Sequence, residues 1–157
     1  MKIKTEKSTY REVMARERNE RKKPVRPNIL FRSLIYILSQ PSMRRTHFSV
    51  RKKGMEKLGK KEPCLVLMNH SSFIDLKIAS TLLYPRPFNI ICEADGFVGK
   101  EWLMRQIGCI PTHKFVSETA LVKDMMYTVR TLKSSILLYP EASYSFDGTS
   151  PTPLPES

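Results

Sequence analysis

Cys64-Leu65-Val66-Leu67-Met68, followed by Asn69-His70-Ser71-Ser72-Phe73-Ile74-Asp75, is the stretch on which the fold turns. Its first five residues form a continuous apolar run of strand length that stops abruptly at polar residues. Ser72 to Tyr84 then carries helical spacing and ends ahead of Pro85 and Pro87, which cannot continue a helix. Strand, polar turn and helix make half of a βαβ unit, and the pattern recurs downstream. Phe88 to Cys92 reads as a strand, Gly99 to Ile107 as a short helix, and Ile110 with its neighbours as a brief strand. Leu121, Val122, Met125, Met126, Val129 and Leu132 lie on one helical stripe, which predicts an amphipathic helix over Glu118 to Lys133 before a last strand at Ile136 to Tyr139. Alternating strands and helices predict an α/β domain whose mixed, largely parallel sheet is flanked by helices. Phe48 and Val50 alternate with polar residues and add a half-buried strand ahead of the first.

The part before this pattern has a different texture. Of 27 Lys+Arg and 15 Asp+Glu in 157 residues, residues 1–62 hold 19 basic and 6 acidic side chains, so the whole net charge of +12 originates there. Thr9-Tyr10-Arg11-Glu12 has capping-box spacing and is followed by Glu12/Arg16 and Glu17/Arg21 pairs, which predicts a solvated helix over 9–22, stopped by Pro24 and Pro27. Asn28 can cap a second, apolar helix over Ile29 to Ser39, ending ahead of Pro41. The apolar segment Ile29 to Leu38 would be only about 15 Å long as a helix, half of the roughly 30 Å hydrocarbon core, so it cannot cross a bilayer alone. Bases bracket it: Arg21, Lys22, Lys23 and Arg26 before, Arg44, Arg45, Arg51, Lys52 and Lys53 after. A short apolar helix set among bases suits the surface of an anionic membrane. Three segments follow: a basic helical membrane-associating segment (1–45), an α/β domain (46–150) and a Pro-rich tail (151–157). Hydrophobic residues make up 41% of the chain, enough for a core, which excludes global disorder. Cys64, Cys92 and Cys109 are an odd number without a pairing pattern, as in a reduced protein, and no signal peptide is visible.

In parallel α/β sheets ligands bind beyond the carboxyl ends of the strands. Here polar clusters follow three strands: Asn69 to Asp75, Gly108 to Lys114, and Pro140-Glu141-Ala142-Ser143. Within the first, His70 is the side chain best suited to take a proton near neutrality, and a carboxylate on its other ring nitrogen fixes the tautomer. Asp75 can supply that carboxylate. It can equally close a capping box with Ser72 and merely start a helix, and spacing alone leaves both open. No Gly-x-Ser-x-Gly elbow surrounds Ser71 or Ser72. His47 and His113 share no metal-ligand spacing with His70, so no zinc site is expected. The cysteines and Trp102 read as core residues.

The residues then carry a resemblance. Asn69-His70 with Asp75 resembles the His-four-residues-Asp motif of the glycerolipid acyltransferases, in particular the 1-acylglycerol-3-phosphate acyltransferases. Gly108 to Lys114 stands where that family has Gly-x-x-Phe-Ile-x-Arg, and Tyr139-Pro140-Glu141-Ala142-Ser143 where it has Phe-Pro-Glu-Gly-Thr-Arg. The resemblance covers about residues 28 to 148 and implies the glycerol-3-phosphate acyltransferase-like fold. It implies His70 as the general base that deprotonates the acceptor hydroxyl, with Asp75 orienting it. Lys114 would hold the acceptor's phosphate, and Asn69, Glu141 and Ser143 would bind substrate. No cofactor is implied, because acyl-CoA or acyl-carrier protein enters as the acyl donor; the partners are that thioester, a lysophospholipid and an anionic membrane, with no nucleic acid. A peripheral or monotopic place on the cytoplasmic membrane face follows.

The chain also departs from the pattern. Lys114 replaces an arginine and loses its bidentate fork; Ala142, Ser143 and Tyr144 replace Gly, Thr and Arg. The family's fourth block has no counterpart before Ser157, so the chain reads as C-terminally truncated, with an exposed sheet edge expected. Two other readings stand beside the acyltransferase: a catalytically silent membrane-binding fragment, and a basic nucleic-acid-binding protein. The second rests only on the charge of residues 1–62, whose aromatics do not alternate with bases as a stacking platform requires.

Overall fold

The computed structural model describes residues 22–59, 61–70, 74–93, 99–112 and 119–140. Helix α1 (Ile29–Arg45) precedes a four-stranded sheet built from β1 (Leu65–Leu67), β2 (Phe88–Glu93), β3 (Cys109–Thr112) and β4 (Ser135–Leu138). The intervening helices are α2 (Asp75–Leu83), α3 (Glu101–Ile107) and α4 (Thr119–Arg130). The strand order is β1-β4-β2-β3 and every pairing is parallel. The chain is therefore α/β as expected, and among the described residues the sheet has no antiparallel member. The expected helix over 9–22 lies outside the described residues.

The order explains the two layers. From β1 to β2 and from β2 to β3 the chain moves one way along the sheet; from β3 to β4 it moves back. Right-handed crossovers then place α2 and α3 on one face and α4 on the other. On the first face Ala79 of α2 meets Ile90, Cys109 and Leu137, with Val66, Leu76, Phe88, Met104 and Ile107 around them. On the second, Ile91, Ile110 and Ile136 are buried, and α4 lies against β4. Asn89, Ser134 and Ser135 are buried near the amino ends of the strands, where Asn89 Nδ2 donates to the Val25 carbonyl (2.8 Å) and Cys64 N–H donates to Ser135 Oγ (3.2 Å).

Four expectations need correction. Helix α1 does not stop at Ser39 but runs through Pro41 to Arg45. The N–H that proline lacks would have bonded the carbonyl of Ile37, and both residues are on the exposed side, where water can accept that carbonyl. Beyond the proline, Met43 is buried and Lys77 Nζ donates to Ser42 Oγ at 2.7 Å, which holds the last turn on α2. Phe48 to Val50 form no strand; Phe48 N–H closes the end of α1 on the Met43 carbonyl and Val50 is exposed. The apolar run at 64–68 makes a three-residue edge strand with Leu65 and Leu67 exposed, not a buried strand. Trp102 is 67% exposed and meets Phe31 of α1 edge-on, with centroids 5.9 Å apart.

Helix α1 lies across α2. Tyr36 stacks on Tyr84 at 4.3 Å, Arg32 Nη1 donates to the Pro85 carbonyl at 2.8 Å, and Gln40 Nε2 reaches Thr81 Oγ1 at 3.4 Å. Burial lowers the Arg32 pKa, and the positive charge of Arg26 adds to this. The chain ahead of α1 is held at the start of β3, where Asn28 N–H donates to the Gln106 carbonyl at 3.1 Å. There Gly108 has φ +95, and a Cβ on it would stand 2.4 Å from Pro27 Cγ and 3.2 Å from the Phe88 carbonyl oxygen. Left-handed strain and the clash act together, so Gly108→Ala should lower unfolding free energy by about 2 to 4 kcal/mol in urea titrations. A loss under about 0.5 kcal/mol would show that Pro27 is not held against β3.

Candidate active site

The carboxyl end of β1 delivers Asn69 and His70, and α2 begins five residues later with Asp75 in its first turn. A carboxylate is favoured at a helix amino end, where unpaired N–H groups and the helix dipole offer positive potential. The helix nevertheless gives Asp75 another task. Its Oδ2 accepts from His70 Nδ1 at 2.9 Å, and the Asp75 side chain is 3% exposed against 20% for His70. The helix starts at Asp75 itself, after Ile74, which makes no side-chain cap.

The hydrogen bond decides what His70 can do. With Nδ1 as the donor to a carboxylate, the neutral ring carries its lone pair on Nε2, the atom that can accept a proton. The buried carboxylate then faces the positive ring that results. The other face of the arrangement is aromatic: the imidazole stacks on the Tyr139 ring with centroids 4.1 Å apart and planes 25° apart. Tyr139 follows β4, and among the described residues β4 is the only strand beside β1. In the sequence Tyr139 is the end of the last expected strand and the first letter of a motif; its contact with His70 comes from strand order.

The remaining site candidates divide. Asn69 is exposed at the same sheet end as His70. Lys114, Glu141 and Ser143 lie outside the described residues. Glu141 and Ser143 follow β4, the neighbour of β1, whereas Lys114 comes two residues after Thr112 of β3, which is three strands from β1, or roughly 14 Å at the usual strand spacing. The cysteines are poorly placed for nucleophilic work with His70. Cys64 precedes β1 and Cys109 opens β3, both at the opposite end of the sheet from His70. A hydrogen bond with Cys109, followed by burial, pushes the Cys92 thiol up, away from the reactive thiolate. Among the described residues no three His, Cys, Asp or Glu side chains gather as a metal site requires.

The parallel α/β sheet thus carries, at the strand ends where such sheets bind ligands, a histidine hydrogen-bonded to a buried carboxylate. Residues 49–153, about two thirds of the chain, match the family model described as Acyltransferase, and the chain belongs to that family. It is thus a transferase of the acyltransferase class. No curated protein and no solved structure gave a match.

Asp75→Asn tests the geometry without reference to turnover. An amide can donate to Nδ1, so the variant should move the His70 proton from Nδ1 to Nε2 in imidazole ¹⁵N spectra. An unchanged Nδ1–H signature would mean that Asp75 does not set the tautomer.

Proposed function

We propose that the protein moves a fatty acyl group from acyl-CoA or acyl-carrier protein to the free hydroxyl of 1-acylglycerol-3-phosphate, giving phosphatidic acid. The observation that carries this reading is the His70–Asp75 pair at 2.9 Å, inside the segment that matches the family. His70 Nε2 takes the hydroxyl proton while the acceptor oxygen bonds to the thioester carbonyl carbon. The tetrahedral intermediate collapses by breaking the C–S bond, and the departing thiolate takes the proton from the imidazolium. Ester and free thiol leave, His70 is neutral again, and no acyl-enzyme forms. Asp75 holds the ring through both transfers. Lys114 receives the acceptor's phosphate as a point charge, and Asn69, Glu141 and Ser143 contact substrate.

The reaction belongs at an anionic membrane surface. Leu30, Leu34, Ile37 and Leu38 follow one another at helical spacing on α1, and all are exposed, Leu30 by 75%. Exposed Trp102 meets Phe31 of the same helix, and Lys22, Lys23, Arg26, Arg44 and Arg45 are exposed at the two ends of the helix. Apolar area among bases suits insertion below anionic headgroups. At 17 residues α1 is about 25 Å long, and among the described residues no helix is long and apolar enough to cross a membrane. A peripheral or monotopic attachment on the cytoplasmic face fits these features.

His70→Ala should reduce thioester-dependent acylation of the lysophospholipid by roughly 10²- to 10⁴-fold while thermal stability stays near that of the wild type. Unchanged turnover removes His70 as the base. If the wild-type chain binds anionic vesicles and consumes no thioester, it is a membrane-binding member of the family without turnover. Lys114→Ala should raise KM for the phosphorylated acceptor more than KM for the thioester; equal effects count against a phosphate role. The double change Leu34→Asp and Ile37→Asp alters only exposed positions and should weaken binding to phosphatidylglycerol vesicles by at least about tenfold. Equal binding would place the membrane contact elsewhere.

A further inference from the structure

We infer, on the reading of His70 as the base of a thioester-dependent acyl transfer, that the carboxyl end of α1 and Lys77 of α2 hold the phosphates of an acyl-CoA donor. Helices α1 and α2 lie antiparallel: Tyr36 meets Tyr84, Gln40 meets Thr81 and Ser42 meets Lys77. Each step along α1 is thus a step back along α2. Arg44 and Arg45, the last residues of α1, come level with the first turn of α2, where Asp75 accepts from His70. Both arginines are exposed, and exposed Arg51, Lys52 and Lys53 follow them. The sequence has no acidic residue between Glu20 and Glu56. The end of the molecule that carries His70 therefore draws anions.

Helix stability does not account for all of this charge. Arginines in the last turn of α1 suit the negative end of its dipole, but Lys77 sits in the first turn of α2, where a cation is disfavoured. Its half-buried ammonium donates to the neutral Ser42 Oγ at 2.7 Å and among the described residues forms no ion pair. Distance selects the anion. The acceptor's phosphate is carried on the carbon next to the one bearing the hydroxyl, so it remains close to His70. The arginines stand on a second helix, whose axis at ordinary packing lies roughly 8 to 10 Å from that of α2. CoA carries its diphosphate and ribose phosphate at the far end of the pantetheine arm, so its thioester can reach His70 while its phosphates rest on this outer rim. Arginine forks match phosphate oxygens, and an ammonium adds a point charge.

The double change Arg44→Gln and Arg45→Gln, and Lys77→Gln by itself, remove charge and keep a hydrogen-bonding side chain. Assayed without vesicles, each should raise KM for butyryl-CoA by at least about fivefold and leave KM for butyryl-pantetheine, which lacks the phosphates, within about twofold. Lys77→Gln should unfold at no lower temperature than the wild type, because it removes a cation from a helix amino end. Titration with CoA itself reads the site without turnover. The double variant should bind CoA at least about tenfold more weakly than the wild type, whose affinity should fall with added salt. Equal rises in KM for both donors, unchanged CoA affinity in the variants, or no measurable CoA binding by the wild type overturns the proposal. So does a Lys77→Gln variant that loses stability while KM for butyryl-CoA is unchanged. Full activity in His70→Ala removes the reading of His70 as the base and leaves the CoA titration to decide the phosphate site.

Discussion

The entry of β4 between β1 and β2 is the constraint on which the rest depends. Leu65 pairs with Ile136 across 71 positions of sequence, and on the other side Phe88 pairs with Ser135. Among the described residues β1 has no other strand partner. Three residues of edge strand could not hold themselves in place, and a histidine carried at their end would have no defined position. The cohesion comes from β4, whose Ile136 and Leu137 are buried on both faces of the sheet. Such non-local pairing must overcome a loop-closure cost before its contacts repay it, so it forms with the core and not before it.

That pairing also separates the two ends of the sheet. At the amino end, buried Asn89, Ser134 and Ser135 join the strands to the chain before α1 and to Cys64. At the carboxyl end, His70, Asp75 and Tyr139 come together from a turn, a helix start and a second strand. The helix that carries Asp75 is also the one on which α1 rests, through the Tyr36–Tyr84 stack and the Lys77–Ser42 hydrogen bond. The exposed apolar face of α1 and the histidine site are thus linked through a single element, α2. In the proposed function, the surface that meets lipid and the site that receives the acceptor share one support.

Much of this could be read along the chain. The order of strands and helices followed from runs of apolar residues and from Pro85 and Pro87, because periodicity is a local property. His70 and Asp75 were legible as a pair because only four residues separate them. The burial of β1 was misread: Leu65, Val66 and Leu67 look the same at an edge as in the centre of a sheet, and only the position of β4 and α4 decides which faces are covered. Pro41 was misread for a related reason. Its cost depends on whether the Ile37 carbonyl can reach water, which is settled by how α1 lies on α2. Trp102 looked like a core residue by type and stands exposed beside Phe31.

By itself, then, the sequence determined the α/β class, the basic segment around an apolar helix, and the histidine with its carboxylate. All of these rest on residue type and short spacing. Tertiary structure alone showed that the Asp75 carboxylate accepts from His70 Nδ1, because an aspartate that only starts a helix and one that meets a histidine have the same neighbours in sequence. It also decided that Tyr139 meets His70. The 68 residues between them carry no local signal, and the contact exists because two parallel strands run side by side.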